Sequence, residues 1–197
     1  IWNASRFVYM NLDGIQGRPI MPNWRSLGLV DRWILHRVNQ LSAELDKSLG
    51  SYRFDVAADR LYHFFWHEYA DWYLEFVKQN LEQDAPGRDS TLAVLVEVHD
   101  RLIRMLHPFM PFITEEVWQK IPRRLEDKKT ITSAQFPAPR DDWHDEKAVS
   151  EVSVLQEVIA AIRTARAERG VPPSKRLKVI IEGANFEQRD LLSDQVK

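Results

Sequence analysis

The residues able to carry chemistry in this 197-residue chain are a histidine–carboxylate series, a few acidic pairs and several groups of cations. His63, His67 and Asp71 recur every four residues, which on a helix would aim three ligand atoms from one face toward a metal. A ligand set on one helix still needs partners from another. Di-metal bundles supply them as Glu-x-x-His pairs on facing helices, a spacing found nowhere in this chain. No metal site is therefore expected. Nucleophilic catalysis also lacks its parts: there is no Cys, no Gly-x-Ser-x-Gly turn, and no Gly-rich loop ahead of a Lys-Ser or Lys-Thr pair. Glu115-Glu116 and Asp141-Asp142 are adjacent acids of the kind that sit at helix starts and in loops for structural reasons. No catalytic residue is expected.

The cations are more informative. On a helix starting at Val149, the side chains of Val158, Ile159 and Ile162 lie within about 60° of Leu155 and form an apolar stripe. Arg166 then falls at about 20° and Arg169 at about −40°, so the same face turns basic at the helix end. Lys175 and Arg176 follow just past Pro172-Pro173. Either these cations pair with carboxylates of the protein, or the helix end meets an anion such as a nucleic-acid backbone, whose geometry guanidinium groups match. Arg32-Trp33 with Arg37 is a second group: an aromatic ring off the apolar stripe, between two arginines, can stack an unpaired base or simply cover the 11–30 connector.

The elements that must position these groups are helices. Hydrophobic residues make up 44% of the chain and charged residues 28%, which suits a globular domain, and seven Gly leave room for long helical periods. The absence of Cys excludes a disulfide framework and thiolate metal sites, and fits a reducing, cytoplasmic setting. No apolar run reaches the roughly 18 residues of a membrane span. A net charge of −2 argues against a general nucleic-acid binder, so any such contact must be local. The chain opens without Met inside an apolar pattern, as though cut from something longer.

Ile1 to Met10 reads as the tail of a helix, followed by a connector with Pro19 and Pro22. A second helix, capped by Asp31, carries Ile34, Val38, Leu41, Leu45 and Leu49 on one face and stops at Gly50. A third runs from Phe54 to about Gln83 with Phe64, Phe65, Trp66, Trp72, Tyr73 and Phe76 as core. A fourth spans about Ser90 to Leu106, and a fifth Phe112 to Ile121. The reading is a mainly α fold: an antiparallel helical bundle over 1–121, then a linker over 122–148 with a short strand at 130–136. A small C-terminal α+β unit follows over 149–197, made of a helix, a strand at 177–181 and a final helix after Asn185.

Several segments together are familiar: Trp2-Asn3-Ala4-Ser5-Arg6-Phe7, Asp31-Arg32-Trp33-Ile34-Leu35, Trp66-His67-Glu68-Tyr69-Ala70-Asp71-Trp72-Tyr73-Leu74-Glu75, Leu106-His107-Pro108-Phe109-Met110-Pro111-Phe112-Ile113-Thr114-Glu115-Glu116 and Val171-Pro172-Pro173-Ser174-Lys175. In identity and order they resemble the valyl-tRNA synthetase family of class I aminoacyl-tRNA synthetases, over nearly the whole chain. The resemblance is to the helical anticodon-binding domain and the start of the C-terminal extension. It implies a piece of a valine–tRNA ligase, which joins valine to tRNA(Val) using ATP. The HIGH and KMSKS signatures of that chemistry are absent from this sequence, so no activity is expected of it. ATP and Mg are expected only in the catalytic domain, which becomes a partner of this piece; membrane and DNA are not expected as partners. The implied ligand is the tRNA anticodon stem-loop, with Arg6, Arg32, Trp33 and Arg37 as one candidate group. Arg163, Arg166, Arg169, Lys175 and Arg176 are the second. The competing reading is a bundle that binds protein or acts as a scaffold, with its cations spent in surface pairs.

Overall fold

A computed structural model describes residues 1–122, 129–172, 174–176, 178–182 and 186–195. Among them there are helices and turns and no strand. The chain divides into two compact units, Ile1–Asp145 and Glu146–Lys197. The first contains α1 (Trp2–Asn11), α2 (Leu29–Gly50), α3 (Phe54–His63), a π-helical segment Phe64–Tyr73, α4 (Leu74–Phe76), α5 (Arg88–Leu106) and α6 (Pro111–Trp118). The second contains α7 (Glu146–Glu168) and α8 (Phe186–Gln195). The mainly α bundle read from the sequence is the fold found.

The expected α+β unit is not. Among the described residues, Ile131–Ser133 is a 3-10 turn and residues 178–181 join no sheet; Leu177, the first residue of the second expected strand, lies outside the described residues. At the first site, the Thr130 side chain accepts a hydrogen bond from the Thr132 amide at 3.3 Å. Glu115 meanwhile accepts from the Thr130 hydroxyl at 2.8 Å and from the Ile131 amide at 3.1 Å. Those local bonds use the donors a ladder would need.

α5 is the centre of the first unit. It starts after Gly87, whose φ of 80° is left-handed backbone that a residue without Cβ adopts at no cost, and it is buried on nearly every side. Two of its buried residues are acids. Glu97 accepts from Arg18 Nη2 at 2.7 Å and from Arg101 Nε at 3.1 Å. Asp100 accepts from Arg18 Nη2 at 3.2 Å, Arg104 Nη2 at 2.8 Å and the Trp118 indole N–H at 2.8 Å. Arg101 and Arg104 reach on to the carbonyls of Ala138 and Gln135, and Arg101 lies 4.6 Å from the centre of the buried Trp143 ring. One acid pair thus fastens the irregular 12–28 connector, α6 and the 134–143 segment to α5.

A second polar chain crosses the core. Ser5 donates its hydroxyl to the Ile1 carbonyl, so its oxygen accepts from His99 Nε2–H at 3.1 Å, and His99 Nδ1 in turn accepts from the Tyr69 hydroxyl at 3.0 Å. Burial holds this histidine neutral, pushing its pKa down to about 3. Asp31, expected as a cap, lies instead in the first turn of α2 and points inward. It accepts from the hydroxyls of Tyr73 at 3.0 Å and Thr91 at 2.8 Å, and burial pushes its pKa up to about 6.

Asp100→Ala leaves Arg18, Arg104 and the Trp118 N–H without their shared acceptor, and a urea titration should show a loss of about 3–5 kcal/mol. Asp31 is protonated more readily folded than unfolded, so its contribution to stability is full below pH 3.8 and is lost as pH rises through about 6. Asp31→Asn removes that dependence. Its stability relative to the parent should therefore rise by about 2 kcal/mol between pH 4 and pH 7, read as urea midpoints.

Candidate RNA-contact surfaces

Trp33 is the sharpest correction to the sequence reading. It is 3% exposed and meets Phe76 edge-on, with ring centres 6.4 Å apart, so it has no face to offer a base. Its flanking arginines are engaged within the bundle. Arg32 pairs with Asp145 at 2.8 Å and donates to the Leu27 carbonyl at 2.6 Å. Arg37 forms a two-pronged pair with Glu68, both bonds 2.7 Å, and also donates to Gln40. Both guanidinium groups keep part of their surface in solvent, but their first role is to tie α2 to the 145 end of the unit and to the π-helical segment. Arg6, by contrast, is exposed on α1 and forms no ion pair with a described residue.

The exposed rings of this unit lie elsewhere. Trp66, assigned to the core by its place in an aromatic run, is 53% exposed and nearly parallel to Tyr62, with 11° between the planes. Membership of an aromatic run is what misleads: with Leu61 at zero and about 100° per residue, Phe65 falls near 40° and Trp66 near 140°, so the ring faces away from the buried side. Phe64, Phe65 and Tyr73 of the same run are buried as expected. Tyr62 and Trp66 edge an apolar hollow with Leu61, Phe65, Phe109 and Met110. His63 and His67 stack beside them with ring centres 5.5 Å apart, His63 facing Asp59 at 3.4 Å and His67 facing Asp71 at 3.5 Å. The carboxylates thus lie against separate rings rather than converging with them on one point. The other close histidine pair is His36 and His144. His36 Nδ1 accepts the Asp145 amide at 2.9 Å, so the neutral ring carries its proton on Nε2 and has no lone pair left to give a metal.

In the second unit the cations gather after the apolar part of α7. Leu155 of the expected stripe is buried, Val158, Ile159 and Ile162 are half-buried, and Arg163 and Arg169 are exposed. Arg166 turns back on the chain: its guanidinium donates to the carbonyls of Pro172 and of Lys175, the latter at 2.9 Å. The Val171 amide returns to the Arg166 carbonyl at 2.9 Å, and Gly170, at φ 61°, makes the reversal. Arg169 donates to the Ala165 carbonyl at 3.3 Å. Carbonyl acceptors satisfy hydrogen bonds without cancelling charge. Between 163 and 178 the chain has six cations (Arg163, Arg166, Arg169, Lys175, Arg176, Lys178) against one carboxylate, Glu168. This loop, with Lys175 and Arg176 exposed on it, is the main concentration of positive charge in a chain whose net charge is −2.

Comparison with known proteins fits this geometry to a family. Residues 31–181 match the family described as the anticodon-binding domain of tRNA ligase. A valine–tRNA ligase of Carboxydothermus hydrogenoformans is 44% identical over 98% of this chain and 22% of its own length. That of Thermotoga maritima is 42% identical over 98% of this chain and 21% of its own. That of Geobacter sulfurreducens is 43% identical over 98% and 22%. The chain spans about a fifth of the length of these curated relatives. No helix among the described residues is long and apolar enough to cross a membrane.

The two tryptophans separate burial from surface display. Trp33→Ala should cost about 3–5 kcal/mol in a urea titration through the cavity it leaves, whereas Trp66→Ala should cost about 1 kcal/mol or less.

Proposed function

The chain belongs to the family of anticodon-binding domains of tRNA ligases, and on that premise we propose that it holds the anticodon stem-loop of tRNA(Val). The full-length protein would be a valine–tRNA ligase, with ATP, Mg and the chemistry of valine transfer in a catalytic domain outside these 197 residues. The observation that carries the proposal is the Arg166-clamped loop. An arginine spent on backbone carbonyls fixes the loop's shape and keeps its own charge, so that Arg163, Arg169, Lys175 and Arg176 surround it as phosphate donors. On the bundle, Arg6 is the exposed cation of the candidate group. Arg32 and Arg37 can add a phosphate contact only through the surface their pairs leave open. With Trp33 buried, discrimination between bases falls to other exposed groups, and Trp66 with Tyr62 is an exposed ring pair that can serve for stacking.

Phosphate contacts make binding depend on salt. Each one neutralised contributes roughly 0.7–0.9 to the slope of log K against log salt. Fluorescence anisotropy of a labelled anticodon stem-loop should show binding that weakens as salt rises. The double variant Lys175→Glu with Arg176→Glu should bind more weakly and with a slope shallower by about 1–2. Equal affinity and slope for the variant, or no binding at low salt, would favour the protein-binding or scaffold reading instead.

A further inference from the structure

The chain has six histidines, and the fold takes up several of their ring nitrogens. His99 is bonded through both, to Tyr69 and Ser5, and His107 through both, to Thr114 at 2.8 Å and Thr132 at 3.1 Å. His36 accepts the Asp145 amide. His63 and His67 are placed differently. His63 ends α3 and His67 follows one turn later in the π-helical segment, with side chains 58% and 57% exposed and ring planes only 26° apart. A carboxylate lies on the outer side of each ring. His63 turns Nε2 to Asp59 at 3.4 Å, and His67 turns Nδ1 to Asp71 at 3.5 Å.

A negative oxygen favours the proton on the ring nitrogen that faces it. In its neutral form His63 therefore carries its proton on Nε2 and keeps a lone pair on Nδ1, while His67 carries its proton on Nδ1 and keeps a lone pair on Nε2. A carboxylate behind the ring and a lone pair in front is the arrangement that fixes the tautomer and orientation of metal-bound histidines. We propose that His63 and His67 chelate one divalent transition-metal ion through those two nitrogens, with Asp59 and Asp71 as their outer partners and water completing the coordination. The need for ligands from a second helix applies to a closed set, and an open site fills its remaining positions with solvent. Two imidazoles favour copper, nickel and zinc over magnesium and calcium, which take oxygen ligands, and copper binds tightest of these. Both side chains are exposed, so the rings can close on an ion without disturbing the core. Once one ring holds the ion, the second meets it at high effective concentration.

Isothermal titration calorimetry of the 197-residue chain with zinc chloride, repeated with copper(II) chloride, tests this. The parent should take up one equivalent of metal, copper more tightly than zinc. His63→Ala and His67→Ala should each weaken zinc binding about tenfold or more, because each leaves a single ring. The double variant Asp59→Asn with Asp71→Asn should weaken it about tenfold by releasing the orientation of the rings. His144→Ala, outside the pair, should bind as the parent does. Electron paramagnetic resonance of the copper complex should show two nitrogen ligands in the parent and one in either single-ring variant. Circular dichroism should show unchanged helix content throughout, since the four residues of the site are exposed. A parent that takes up neither metal overturns the proposal. So does uptake that His63→Ala and His67→Ala both retain, which makes the ion adventitious, or a loss that follows His144→Ala instead. Unchanged zinc affinity in the paired Asn variant would overturn the part given to the carboxylates.

Discussion

Two buried carboxylates, Glu97 and Asp100, govern the first unit. An ion removed from water costs several kcal/mol unless charge and hydrogen bonds replace its hydration, and on α5 the replacements must come from outside the helix as well as from its own next turn. Arg101 and Arg104 answer from α5 itself, Arg18 from a connector with almost no regular structure, and the Trp118 indole from α6. The connector and the 134–143 segment have too few helical or strand bonds to hold themselves in place. They are held instead by the electrostatic demand of the helix they cover, which makes the burial of α5 and the order of its surroundings one event.

That demand has a functional consequence. Arginines are the natural ligands of phosphate, yet in this unit many are already committed. Arg18, Arg101 and Arg104 serve the acid pair, Arg32 holds Asp145, and Arg37 holds Glu68. In the second unit the guanidinium groups of Arg166 and Arg169 bond to main-chain carbonyls, and their charge is not cancelled by a carboxylate among the described residues. The contrast assigns different work to chemically identical side chains: tying elements together in one unit, and displaying charge in the other.

How far the sequence reveals this depends on the range of each interaction. The α2 stripe of Ile34, Val38, Leu41 and Leu45, the stop at Gly50 and the break before α5 are local and were readable from spacing. So was the change of the α7 face from apolar to basic. The partner of Arg32 is 113 residues away, and no pattern within α2 distinguishes an arginine that meets Asp145 from one that meets RNA. Trp33 lay off the aliphatic stripe, but α2 is covered on a wider arc than that stripe marks, burying Asp31 and His36 as well. The Leu/Val/Ile alternation at 177–181 does describe strand-forming residues. What a sequence segment cannot supply is the second strand, and among the described residues there is none. Trp66 differs for another reason: residue type alone put it in the core, whereas its position about 140° round the helix from Leu61 faces it outward.

The account separates cations that hold the protein together from cations that hold its ligand. Hydrogen exchange of the chain with and without an anticodon stem-loop measures that separation directly. Slowed exchange on RNA addition should concentrate at 163–178, including the amides around the Arg166 clamp, while the amides of α2 near Arg32 and Arg37 exchange as before. Protection confined to α2, with 163–178 unchanged, would contradict it.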